Sequence, residues 1–419
     1  MTNFRTYEIY QRERVGESTA LLKPRELYAT QHLVDPYRLL GILREHYPCY
    51  RDWPGNAFWV TRYDDVTSVF ADDANYESRS KRWLYGLEDA GRNLRDELAF
   101  LECEARHLDT LAVPVAEQLV ADMRNDGRFD LAVDFCARFP IEMLGRTLGL
   151  GEDAMPVFIE RYLRMQRGVL WEPAMRHAGL LAIDELSEFF DALLADRLRD
   201  PSEDLVSVIA TLELPDGPAN GLDIVVTLLE ADHETLHGAL ANMWFLLLTH
   251  PEQLDIARTD ERMMRHAYLE TLRHSTPVLT ARRFARHEVE RFGRLLPDGA
   301  LVKCSAGAAN RDPRVFADPD RFDVTRPDLC QREPRGMYRA DGLCSGIAFG
   351  LGQPSKHPAL PEDRPRSRYA LTRDAAVRAS QVLVEALPGI ELATGAAPVL
   401  RSLRVDEMHT CWHLPVTYG

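Results

Sequence analysis

The stretch from Leu222 to His250 constrains the fold of this chain more than any other segment. It contains no proline, and its apolar residues recur at helical spacing around nearly the whole circumference. This pattern predicts a buried helix of about 40 Å, at about 1.5 Å per residue. Because a helix that is apolar on all sides needs neighbours on all sides, the rest of the chain is expected to pack around it.

Charged residues interrupt the middle of this predicted helix. Glu230, Asp232, His233 and Glu234 lie where the flanking residues indicate a core. An unpaired buried charge costs several kcal/mol, so these groups must be paired, protonated or in contact with a wet pocket. Two interpretations are open: the helix surfaces for one turn, or it crosses a pocket in which these side chains are candidate catalytic residues.

Composition excludes several classes of protein. The 419 residues are 45% apolar and 27% charged, and the net charge of −15 argues against a general nucleic-acid binder. The seven cysteines form no CxxC pair, so neither a disulfide framework nor a zinc site is predicted. With no signal-peptide pattern and no run of about 18 apolar residues, we expect a cytoplasmic protein without a membrane partner.

Hydrophobic periodicity predicts a mainly α fold with a small β subdomain. Amphipathic helical patterns occupy most of the chain on both sides of the central helix, and strand-like patterns occur near 55–63, 280–305 and 390–418. There is no Gly/Ser linker, low-complexity tract or repeat of fixed period. We therefore expect a single domain over 1–419.

The sequence ETLR predicts a buried ion pair. Glu270 and Arg273 are three residues apart and can share one helix face. Arg321, in ADPDRF about fifty residues on, is expected to add a second guanidinium to the Glu270 carboxylate.

Several further patterns follow in a fixed order, namely ANRDP at 309–313, FGLG at 349–352 and LTRD at 371–374. Together with ETLR they resemble the cytochrome P450 superfamily of haem-thiolate monooxygenases, bacterial soluble type. The resemblance covers roughly residues 30 to 415 and implies the cytochrome P450 fold.

The resemblance gives the charged segment of the central helix a role. In the family, a pair of small residues is followed by an acid and a threonine that deliver protons to bound oxygen, and here Glu234 and Thr235 match the acid and the threonine. Asp232 replaces the second small residue, and His233 lies between. Asp232, His233, Glu234 and Thr235 are the candidate catalytic residues.

The cysteine that binds iron in the family is missing at its expected position. Counted from Phe349 the position holds Lys356, and counted back from the terminal helix it holds Arg366. No cysteine lies between Phe349 and Cys411. The chain therefore resembles a degenerate member, in which His357 or Lys356 is the candidate axial ligand if iron is bound, with Cys344 as a third candidate after them.

A second haem contact of the family is also altered. The family's histidine and arginine that hold a propionate align with Ala105 and Asp109, and a carboxylate at 109 would repel a propionate. His107 and Arg106 are candidates to compensate from neighbouring positions.

Other haem contacts of the family are retained. Arg282 and Arg283 stand where the family supplies a propionate-binding arginine, and Phe349 and Gly352 belong to the loop beneath the haem. The resemblance implies that these residues bind the cofactor if haem is present.

Three functional hypotheses follow, and whether the protein is an enzyme stays open among them. The first, which we favour, is a haem-free protein without any cofactor, acting in natural-product metabolism as a scaffold for a partner enzyme or as a non-oxidative enzyme. The alternative is a haem-dependent monooxygenase or oxidoreductase with a non-cysteine or unusual axial ligand, a small-molecule substrate and electrons from a ferredoxin. The third is haem-independent acid–base catalysis in the pocket by one of the four residues Asp232, His233, Glu234 and His237.

Overall fold

The computed structural model describes residues 27–47, 49–124, 129–169, 172–231, 233–330, 346–347, 366–402 and 408–418. The helices are α1 (Tyr37–His46), α2 (Tyr63–Phe70), α3 (Lys81–Tyr85), α4 (Leu98–Arg124), α5 (Arg138–Thr147), α6 (Met155–Arg167), α7 (Pro173–Arg199), α8 (Leu205–Ala210), α9 (Gly221–Leu229), α10 (His233–Thr249), α11 (Pro251–Ala257), α12 (Glu261–His274), α13 (Ala306–Ala309) and α14 (Arg368–Ala386). The strands are β1 (Cys49–Asp52), β2 (Ala57–Val60), β3 (Tyr76–Glu77), β4 (Phe129–Asp130), β5 (Thr280–Ala285), β6 (Val289–Arg291), β7 (Arg294–Leu296), β8 (Leu301–Ser305), β9 (Glu391–Leu392), β10 (Val399–Ser402), β11 (His409–His413) and β12 (Pro415–Thr417). The prediction of a mainly helical fold with small sheets is confirmed.

Within the described residues, the strands form one larger sheet and three small ones. The larger sheet has the order β1-β2-β8-β5-β3, in which β2 and β8 are parallel and the other neighbours antiparallel. A second sheet has the order β4-β12-β9, and β6–β7 and β10–β11 are two-stranded. Among the described helices, none combines the length and apolar character that a bilayer crossing requires.

Helix α10 is central, as its apolar circumference predicts. Trp244 is fully buried and its indole Nε1 donates to Ser380 Oγ on α14 at 3.1 Å. Asn242 is equally buried, and its Nδ2 donates to the carbonyls of Ser275 and His409, each at 2.8 Å. Because both polar groups are satisfied, they fix the orientation of α10 against α14 and β11 without leaving buried donors unpaired.

The buried ion pair between Glu270 and Arg273 forms as predicted, but its third member differs. Arg273 donates from Nε and Nη2 to the two carboxylate oxygens of Glu270, both at 2.7 Å. The second guanidinium belongs to Arg326, whose Nε lies 3.2 Å from Glu270 Oε1. The expectation for Arg321 is wrong: its side chain is 67% exposed and pairs with Asp323 at 3.6 Å.

Candidate functional site

The predicted continuous helix from Leu222 to His250 is interrupted in the structure. Helix α9 ends at Leu229 and α10 begins at His233, so the charged segment lies at a break between two helices. Carbonyls at such a break lose the regular helical hydrogen bond; Leu228 O accepts from Ala231 N at 3.0 Å instead, and side chains from other elements also bond to two carbonyls here. Gln166 Nε2 donates to Leu228 O at 3.0 Å, and Arg95 Nη1 donates to the carbonyl of Glu230.

A cavity of about 150 Å³ adjoins this break, between α4, α5, α10 and α14. Apolar side chains form much of its wall, and the polar lining residues include Arg95, Glu104, His233 and Thr372. Arg95 is 7% exposed, and its Nε has no hydrogen-bond partner among the described residues. The cavity therefore brings a buried cation, an acid and an imidazole together.

His233 is held beside the cavity by Tyr162 of α6. Its Nδ1 lies 2.6 Å from the Tyr162 hydroxyl, and the two rings meet edge to face with centroids 4.9 Å apart. Burial lowers the pKa of His233 to about 4, and also lowers the pKa of His237, one turn later, to about 4. Both imidazoles are neutral near pH 7 and can accept a proton or donate a hydrogen bond.

Glu234 forms an ion pair that the sequence did not predict. Lys81 Nζ, on α3, lies 3.2 Å from Glu234 Oε2 and donates to Gln166 Oε1 at 2.6 Å. Burial is the largest single effect and raises the pKa of Glu234, but the charge and hydrogen bond of Lys81, together with His233 and His237, lower it, and the net result is a lowered pKa. Thr235, the alcohol of the predicted pair, is half-buried beside this ionised carboxylate.

Other predicted site residues lie outside the described part of the chain. These are Asp232, Cys344, Phe349, Gly352, Lys356 and His357. Within the described residues, no group of three or more His, Cys, Asp or Glu side chains could hold a metal ion.

The two predicted propionate-binding arginines do not reach one site. Arg283 is half-buried with its guanidinium 4.7 Å from the centre of the Phe70 ring, and burial lowers its pKa. Its Nη1 donates to the Arg282 carbonyl, and among the described residues no carboxylate lies within ion-pair distance of it, although the charge of Asp73 acts on it from farther away. Successive side chains of a strand point to opposite faces, and Arg282 lines a different cavity.

The expectation that His107 compensates for the lost propionate ligands is not supported by its contacts. Its Nε2 lies 3.0 Å from the Glu203 carbonyl and its Nδ1 3.7 Å from Cys103 Sγ. Glu104 and Leu108 line the cavity at the break, whereas His107 does not. The helical rotation of about 100° per residue explains the difference, because His107 faces α8 instead.

Arg366 and Asp109, which stand in place of the family's cysteine and arginine, contact each other. Arg366 Nη2 lies 2.7 Å from Asp109 Oδ1 and donates to the Ala105 carbonyl at 3.1 Å, while its Nη1 lies 3.1 Å from Asp374. Arg378 adds a second guanidinium to Asp109 at 2.6 Å. The sequence analysis treated the missing cysteine and the missing propionate-binding arginine as separate losses. In the structure the residues at these two positions belong to one ion-paired cluster that joins α4 to the start of α14. The opposite charges at these two positions were the signal in the sequence.

Comparison with known proteins identifies the relatives of this fold. The family model for cytochrome P450 matches residues 220–339. Cyclomarin C epoxidase CymV of Salinispora arenicola is 27% identical over 398 residues, covering 89% of this chain and 96% of the relative. 6-Deoxyerythronolide B hydroxylase of Saccharopolyspora erythraea is 29% identical over 357 residues, covering 77% and 85%. The ligand-free structure of cytochrome P450 TbtJ1 superimposes with a TM-score of 0.74 at 22% identity, covering 93% of this chain and all of that one.

These similarities correct the expectation that the protein binds no cofactor. Cytochromes P450 are haem proteins, and both the family match and the relatives favour haem over an empty fold. The described residues fit haem in part. Arg283 is a half-buried cation without a carboxylate partner, as a propionate site requires, whereas the guanidinium of Arg366 cannot ligate iron and is already paired with two carboxylates.

Proposed function

Because this chain belongs to the cytochrome P450 superfamily, we propose that it is a haem-dependent oxidoreductase acting on a small molecule of secondary metabolism, with an axial ligand other than cysteine. The relatives named as an epoxidase of cyclomarin C and a hydroxylase of 6-deoxyerythronolide B support this class of substrate. A ferredoxin is the proposed electron donor.

The observation that carries the proposal is the environment of Arg283. Burying a guanidinium without a counter-ion at contact distance is unfavourable. The cation–π contact of Arg283 with Phe70 offsets only part of this unfavourable free energy. A carboxylate supplied by a bound group would offset the remainder. A haem propionate meets this requirement at the position where the family places it.

His357 is the residue proposed to hold the iron of a bound haem, with Lys356 as the second candidate. Arg366 is excluded by its ion pairs with Asp109 and Asp374. A neutral nitrogen ligand lacks the electron donation by which a thiolate favours O–O cleavage, so a haem held by His357 or Lys356 would supply iron redox chemistry with a weaker tendency toward that cleavage.

The chain's own residues are proposed to hold and move protons at the helix break. Lys81 keeps the Glu234 carboxylate ionised, so that its Oε2 can accept a proton from a water or substrate hydroxyl and pass it on through Thr235. The Tyr162 hydroxyl orients the neutral His233 ring toward the cavity as a second acceptor. Asp232 is proposed as a further catalytic residue on the basis of its position in the sequence alone.

The test is a spectrum of protein produced with a haem precursor. We expect a stoichiometric Soret band, a carbon-monoxide difference spectrum without the thiolate-type band, and a shift of the Soret band in His357→Ala. His287→Ala, a change at an exposed histidine bonded to Asn75, is the matched control and should leave the spectrum unchanged.

A second arm tests Arg283. Arg283→Gln should lose haem to a scavenging apoprotein at least ten-fold faster than the parent, whereas Arg262→Gln, at an exposed position on α12, should not. Protein that binds no haem, or that shows the thiolate-type band, would refute the proposal.

A further inference from the structure

A second cavity, of about 510 Å³, lies apart from the helix break. It is lined by the β1–β2 turn, the segment joining β7 to β8, and the start of α3, and it shares no lining residue with the first cavity. Its charged lining residues are Arg51, Arg79, Arg282 and Asp298. The cavity wall thus carries three positive charges and one negative charge, although the net charge of the chain is −15.

Arg51 is 4% exposed and forms no ion pair among the described residues; the charge of Asp52 acts on it, but that carboxylate is paired with Lys303 at 3.3 Å. Its Nη1 donates to the Ala57 carbonyl at 3.0 Å and its Nη2 to Asn56 Oδ1 at 2.7 Å. The guanidinium carbon lies 4.3 Å from the centre of the Trp53 ring and 4.6 Å from that of Phe58. Its Nε remains without a hydrogen-bond partner. These neutral contacts fix the cation but do not neutralise it.

Arg79 is held between two aromatic rings. Its guanidinium carbon lies 4.5 Å from the centre of the Trp83 ring and 4.0 Å from that of Phe284. Its Nε lies 3.1 Å from Glu77, but the same carboxylate also pairs with Arg286 at 3.2 Å. One carboxylate therefore serves two guanidiniums, and the aromatic pair presents Arg79 to the cavity in a fixed orientation.

Arg282 supplies the third cation. It shares its strand face with Phe284, opposite to the face of Arg283, and it has no ion pair or side-chain hydrogen bond among the described residues. We propose that this cavity binds an organic anion, a carboxylate or a phosphate on an apolar body. Arginine forks match both oxyanions, and the apolar lining residues Phe58, Leu84 and Leu301 would contact the body of the ligand. The volume falls within the range of small-molecule sites, about 300–1,000 Å³.

This site does not depend on haem, so it can be tested on the purified protein by calorimetric titration. The probes are 1-naphthoate, 1-naphthyl phosphate and the uncharged 1-naphthol, which share one aromatic body. We expect at least one of the two anions to bind at least ten-fold more tightly than 1-naphthol, and the stronger of the two identifies the oxyanion. Arg282→Gln and Arg79→Met should each weaken that binding at least ten-fold, because each removes a charged hydrogen-bond donor to the anion.

Arg262→Gln removes the same charge from an exposed position outside the cavity and should leave binding unchanged. Far-UV circular dichroism of each variant establishes that it is folded, and the two cavity variants provide independent readings. The proposal is overturned if neither anion binds the parent protein at millimolar concentration, if 1-naphthol binds as well as both anions, or if both cavity variants bind like the parent.

Discussion

Replacing Arg326 by methionine should destabilise the protein far more than the same replacement of Arg321. Arg326 is 5% exposed on its side chain and donates to Glu270 Oε1 at 3.2 Å, to Asp328 Oδ1 at 2.6 Å and to the Ala317 carbonyl at 3.1 Å. Breaking a buried pair by removing one partner costs about 3–5 kcal/mol. Because Glu270 keeps its two bonds to Arg273, we expect the lower part of that range, about 3 kcal/mol.

Arg321→Met provides the matched comparison. Its guanidinium is 67% exposed and makes one ion pair, to Asp323 at 3.6 Å, and exposed pairs contribute about 0–1 kcal/mol. Urea-induced unfolding followed by far-UV circular dichroism measures both changes against the parent. If Arg326→Met costs less than about 1 kcal/mol, or if Arg321→Met costs as much as Arg326→Met, the assignment of the third member of this cluster is wrong.

Three further outcomes are expected. In a double-mutant cycle, Asp109→Asn and Arg366→Gln should show a coupling of about 0.5–1 kcal/mol in urea unfolding, since the pair is partly exposed; strict additivity would contradict the ion pair. The free energy of unfolding should fall as the pH drops from about 6.5 toward 4, because the unfolded chain binds a proton at His237 that the folded protein, in which the His237 pKa is about 4, does not bind. His237→Gln should reduce this loss of stability by up to about 3 kcal/mol. If the pH dependence is the same in His237→Gln as in the parent, His237 is not its source. Lys81→Met should raise the pKa of Glu234, because the charge of Lys81 is the largest of the effects that lower it; carbon-13 NMR titration of labelled glutamates would show one carboxyl titrating at higher pH, and that signal should be absent in Glu234→Gln.

The sequence predicted those features that depend on local spacing. The ion pair of Glu270 with Arg273 follows from three residues on one helix, and the burial of Trp244 follows from the apolar circumference of α10. The partner from a distant loop was assigned to Arg321 instead of Arg326, because sequence spacing does not determine which of two nearby loop arginines turns inward.

The candidate site was harder to predict because its contacts join distant segments. The charged residues in the middle of an apolar segment indicated that a fully buried helix was unfavourable there. They did not indicate that one helix would end at Leu229 and the next begin at His233. Lys81 and Glu234 are separated by 153 positions in the chain, and no periodicity links them. The pairing of Asp109 with Arg366 required the packing of α4 against the start of α14.

The side chains that hold the helix break also couple it mechanically to α6. Gln166 and Tyr162 project from that one helix, and they reach the last turn of α9 through Leu228 and the first residue of α10 through His233. A displacement of α6 would therefore pull on both sides of the interruption at once. Any molecule that pushes α6 outward would therefore disturb the hydrogen bonds to the His233 imidazole and to the Leu228 carbonyl without contacting either group.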